Sequence, residues 1–213
     1  FETAFQDRAE LSRFLSLTQV CYAFDIAEYK MGKMLSELRK VPSSQKKNCD
    51  TMLFWDLVFE EVNCSDVLNY YRQIIEKTPS SISERNDCLD SFVTIVLLQG
   101  TLEYLEEADR YSKELINNLP NEWTVKGTRG CVLVEKGEIL KGIELLTGVM
   151  ENEEEPSARV ISASYLALAY SHQGCPQKAR EWLAVGRDIE PHCRLFSRAE
   201  KLLINNENLL SGR

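Results

Sequence analysis

Residues 160–193 read VISASYLALAYSHQGCPQKAREWLAVGRDIEPHC, and this stretch decides the fold. Ala163, Leu166, Ala167 and Tyr170 recur at the i, i+3, i+4, i+7 spacing that places them on one face of a helix. Gly174 ends that helix, because the left-handed conformation that closes a helix is cheapest for glycine. Pro176 falls in the first turn of the next helix, where its missing N–H removes no bond. Ala179, Leu183 and Gly186 make the inner stripe of this second helix, and Pro191 stops it. Small side chains at Ala167, Ala179 and Gly186 let the two helices approach closely, with Leu166, Tyr170 and Leu183 filling the space around them.

The arrangement Ala163-x2-Leu166-Ala167-x2-Tyr170, Ala179-x3-Leu183, Pro191 resembles the tetratricopeptide repeat, a helix–turn–helix of about 34 residues, with alanine in place of the usual tryptophan and glycine. Pro42, Pro79, Pro120, Pro156 and Pro191 are spaced by 37, 41, 36 and 35 residues, a near-period of the kind a helical repeat array shows. The expected units are 1–42, 43–79, 80–120, 121–156 and 157–191, with a cap over 192–210. The resemblance implies an all-α, right-handed superhelix of about five antiparallel hairpins closed by a C-terminal capping helix.

The other units fill in around this register. In the first, stripes from Leu11 to Tyr22 and from Ala27 to Leu38 meet at a break near Asp25, or run on as one long helix. In the second, Ser65 is the expected N-cap of a helix carrying Val67, Tyr71, Ile74 and Ile75. The third turns at Gly100-Thr101. The fourth places Gly130, Leu133, Gly137, Gly142 and Leu146 at the spacing of the motif, with Lys126 and Arg129 where apolar residues belong. The run Glu151–Glu155 reads as a solvated helix end. In the cap, Leu195, Ala199, Leu202 and Leu203 form one apolar stripe, with Arg194, Arg198, Lys201 and Asn205 on the opposite face.

Composition narrows the class. The 213 residues are 44% hydrophobic and 27% charged, the balance of an ordinary folded domain. A formal charge of −8 repels phosphate, which argues against nucleic acid and against an anionic membrane surface as partners. No apolar run reaches the roughly 18–20 residues of a membrane helix. Seven cysteines, an odd number with no C-x2-C pair, read as reduced core residues of a cytoplasmic domain. The chain begins at Phe1, which points to a piece of a longer protein.

No catalytic constellation emerges, so the chain reads as a non-enzyme without cofactor. His172 and Cys175 lie about 20 Å along a helix from His192 and Cys193, too far to share a metal. Paired carboxylates such as Glu106-Glu107 fall on exposed helix faces. Function is then read from the resemblance. In proteins of this kind the first helix of each pair lines a concave groove that binds an extended peptide or a partner helix. The groove positions implied here are Thr124, Gly127, Cys131 and Val134 in the fourth unit and Ser164, Leu168, Ser171 and His172 in the fifth. None is Lys, Arg or Asn, so the clamp that binds chaperone tails is missing. The expected function is a protein-binding scaffold with a near-neutral groove whose binding depends weakly on salt. The alternative is an assembly or regulatory module of a larger protein, either self-associating, as a homodimer, or attached to a catalytic or a membrane segment.

Overall fold

Gly100, Gly137 and Gly174 stand 37 residues apart, and each adopts a positive φ of 69°, 80° and 69°. No atom lies within 4 Å of where a Cβ would sit on any of them, so conformation and not space demands glycine there. Each turn closes with the same bond. The N–H of the residue after the glycine donates to the carbonyl five residues back: Thr101 to Val96, Glu138 to Leu133, Cys175 to Tyr170. The backbone therefore repeats a single helix–turn–helix three times.

The structure is a computed structural model that describes residues 23, 24, 30, 33, 36, 50–79, 83–191 and 193–211. Its helices are α1 (Asp50–Phe59), α2 (Cys64–Lys77), α3 (Ser83–Gln99), α4 (Leu105–Asn118), α5 (Trp123–Glu135), α6 (Ile139–Asn152), α7 (Pro156–His172), α8 (Pro176–Ile189) and α9 (Phe196–Ser211), with a short 3-10 turn over Leu102–Tyr104. No strand occurs among the described residues, so the fold is all-α. The expected break at Asp25 lies outside them, although the neighbouring Phe24 is in a turn.

Packing follows three rules. Helices α3, α5 and α7 each pack on the helix that follows, as α3 on α4, α5 on α6 and α7 on α8. The second helix of each pair packs on the next first helix: α2 on α3, α4 on α5, α6 on α7. The first helices also lie side by side, α3 with α5, α5 with α7, and α7 with α9. A first helix is thus covered on several sides, and α7 buries eleven of its residues.

Helices α5 and α6 approach closely at two glycines. A Cβ on Gly142 would fall 2.7 Å from Val134 Cγ2 and 3.0 Å from the Gly130 carbonyl oxygen. A Cβ on Gly130 would fall 2.8 Å from Leu146 Cγ. Counted from the turn glycines, Ala167 and Ala179 hold the same positions in the next hairpin, and both are fully buried. The small residues expected to set the helix spacing therefore occupy the interior. Gly137 makes the turn, the position that Gly174 holds in the next hairpin.

Arginine–carboxylate pairs fix the helices relative to one another. Arg72 on α2 forms a fork on Glu107 of α4, at 2.9 and 2.6 Å. Arg85 on α3 binds Glu114 of α4. Arg129 on α5 donates to Asp109 Oδ1 of α4 at 2.6 Å and to Ser112 Oγ at 2.9 Å. Lys113 and Lys136 each reach Asp109 Oδ2 at 2.8 Å. Burial alone would raise the Asp109 pKa, but the bonds from Lys113, Lys136 and Arg129 outweigh it and hold the carboxyl well below its usual range.

Several sequence expectations change here. Arg129, expected to be out of place, is a buried ion-pair partner. Glu106 is exposed as expected, but its neighbour Glu107 is drawn in to Arg72. Arg198, assigned to the solvent face of the cap, reaches back to Glu135 on α5, its Nη2 donating to Oε2 at 3.0 Å. The N-cap of α2 is Asn63, whose Oδ1 accepts from the Ser65 N–H, so Ser65 is already inside the helix. Glu155 ends the acidic run not as a solvated group but as the N-cap of α7, its carboxylate accepting from the Ala158 N–H at 2.6 Å.

Candidate functional site

Helix α3 carries Asp90, Thr94 and Leu97 at i, i+4 and i+7, one stripe on a helix that is otherwise mostly apolar. On α5, Thr124, Gly127, Thr128 and Cys131 repeat the same spacing. From α7 and its cap come Glu155, Ala158, Ile161 and Ser162. Because the three helices lie side by side, these stripes converge on one cavity of about 160 Å³, which Leu98 also lines. Its size follows from the residues that face it. Threonine, glycine, alanine and serine at the helix contacts leave room that leucine or phenylalanine would fill.

The wall is part apolar and part acidic. Leu97, Leu98 and Ile161 supply hydrocarbon. Asp90 is half-buried, and its Oδ1 accepts a hydrogen bond from Thr128 Oγ1 at 3.1 Å. Burial pushes its carboxyl up to about 6, the Thr128 bond opposing the shift and nearby Asp87 adding to it. A second cavity, of about 290 Å³, shares Asp90 and Thr124 and extends to Asp87, Glu122 and Leu119. Asp87 is itself raised, first by burial and then by Glu84.

Of the groove positions implied by the resemblance, Thr124, Gly127 and Cys131 line the first cavity. Val134 does not: it packs against Gly142 of α6. Ser164, Leu168 and Ser171 are buried elsewhere. The Ser164 and Ser171 hydroxyls donate back to Val160 and Ala167 of their own helix, and Asn206 of α9 reaches the Ser171 carbonyl. The cap covers the part of α7 expected to face a ligand. His172 is exposed at the C-terminal end of α7, away from the cavity lining.

The groove positions implied by the resemblance carry no charge, whereas this cavity does. Asp90 and Glu155 line the cavity, and Asp87 and Glu122 line its neighbour. A sequence signal for them existed in the polar stripe Asp87, Asp90, Thr94 through the apolar run of α3.

Burial first, and then Glu135, push the Cys131 thiol well above its usual range, so it stays protonated. Among the described residues no group of three or more His, Cys, Asp or Glu side chains is placed to hold a metal ion. No helix among them is long and apolar enough to cross a membrane. No family model, curated protein or solved structure matches the chain.

Proposed function

We propose that the chain is a protein-interaction scaffold whose helix pairs wind as in tetratricopeptide repeats, with a partner segment lying across α3, α5 and α7. One observation carries this reading: each of three successive first helices, α7 together with its N-cap, sends residues from one of its faces into a single cavity. That is the arrangement by which stacked hairpins read a peptide along their inner surface. The 37-residue recurrence of the turn glycines and the side-by-side packing of first helices support the winding. The site is mixed, apolar and acidic, so the partner segment carries apolar and basic side chains.

Blocking the cavity tests the reading. Thr124 is exposed at its edge, so Thr124→Trp adds bulk without disturbing the core. Affinity capture with this variant is expected to lose the proteins that wild type retains. Leu140→Glu, at a site 74% exposed on α6, is expected to retain them. Identical captured sets from wild type and Thr124→Trp, with both proteins equally folded, would remove the cavity as the binding site.

A further inference from the structure

Where two helices meet, this fold matches acid to base: Glu107 to Arg72, Glu114 to Arg85, Asp109 to Arg129, Glu135 to Arg198. Asp90 breaks the pattern. It lies where α3 meets α5, yet the residue that answers it is Thr128, a hydroxyl, and no cation of the described residues pairs with it. The other charged residues lining the two cavities are also acidic: Glu155, which caps α7, lines the same one, and Asp87 and Glu122 the adjoining one. A half-buried carboxylate without a counter-charge costs stability, and a ligand cation would relieve that cost.

The cavity's shape selects among cations. A cavity of ~150 Å³ admits benzene, six heavy atoms. The one here, of about 160 Å³, therefore suits the unbranched stem and ammonium of lysine. Thr128 already occupies Oδ1 of Asp90, which disfavours the two-oxygen fork of arginine and leaves Oδ2 for a single point charge. An ammonium has three donors, and Thr94 and Thr124, each with a hydroxyl, line the same cavity. Leu97, Leu98 and Ile161 provide the apolar wall along which a lysine stem packs.

We propose that this cavity is an anchor pocket for one lysine side chain of a protein partner, its stem against Leu97 and Ile161 and its ammonium at Asp90. The inference rests on the scaffold reading above and adds the identity of the residue recognised. Its test is selection of a displayed library of short random peptides on the full chain. The recovered peptides are then assayed singly by fluorescence anisotropy. Recovered sequences are expected to share one lysine. Replacing it by norleucine, or Asp90 by asparagine, should each weaken binding tenfold or more, while Glu106→Gln leaves it unchanged. Thermal unfolding of Asp90→Asn confirms that the variant is folded, and Thr128→Val, which keeps the charge, should retain the preference for lysine over norleucine. Peptides that bind at the cavity, as judged by Thr124→Trp, but are indifferent to norleucine or to Asp90→Asn would overturn the anchor and leave the scaffold standing. A library that yields no cavity binder would overturn both.

Discussion

Asp90 shows why a single-helix reading of the sequence misses the site. On α3, the stripe Leu89, Phe92, Val93, Val96, Leu97 faces the core, and the polar residues between them look like a solvent face. A helix in a stack has a second neighbour, however, and α5 covers that polar side, so Asp90 ends in a cavity instead of in water. The consequence is measurable. The carboxyl is pushed up to about 6, above its unfolded value near 4. A raised carboxyl binds more protons folded than unfolded between those values, so stability falls as pH rises through that window and the full loss persists above it. Thr128 on α5 and Asp87 on its own helix act on the Asp90 carboxyl, and Cys131 on α5 and Glu155 beside α7 line the same cavity. Asp90→Asn is therefore expected to stabilise the chain by about 1–3 kcal/mol at pH 7 and by almost nothing at pH 4. Urea unfolding at the two pH values checks this, and equal effects at both would mean that Asp90 is not held charged in a desolvated site.

At the scale of helices, the sequence was legible wherever side-chain size or backbone conformation alone decides. Gly174 and Pro176 marked a turn correctly because positive φ and a missing N–H are local requirements. Ion pairs between helices are not local: Arg129 with Asp109, or Arg198 with Glu135, join residues 20 and 63 apart, and no periodicity announces them. The burial of Ser164, Leu168 and Ser171 on α7 is likewise not local, since it depends on the helices packed around α7, among them α9, whose Asn206 reaches the Ser171 carbonyl. Close packing at small residues yields the sharpest expectation at this scale. Gly142→Ala drives a methyl to 3.0 Å from the Gly130 carbonyl oxygen, a backbone atom that cannot turn aside as Val134 can. Ala179→Leu overfills the equivalent position of the next hairpin. Each is expected to cost about 1–3 kcal/mol, and calorimetry that finds either variant as stable as wild type would show that the helices are not in contact there.

Across the whole molecule, the arginines and the net charge act together. With a formal charge of −8, the chain nonetheless spends Arg72, Arg85, Arg129, Arg194 and Arg198 on ion pairs within its own fold. Carboxylates such as Glu103 and Glu151 are exposed. The field around such a chain is acidic, and it extends about 8–10 Å at physiological salt before ions screen it. A lysine-bearing partner is drawn by that field before it reaches the cavity, and salt weakens this steering. Once seated, the ammonium sits beside a half-buried carboxylate, where mobile ions do little. Salt should therefore act mainly on association. Rapid-mixing measurements with a selected lysine peptide are expected to show an association rate that falls about tenfold or more between low and high salt, with a dissociation rate that changes little. Weak salt dependence, which a charge-free groove would give, is the opposite outcome. An association rate indifferent to salt would place the binding surface away from Asp90 and its acidic neighbours.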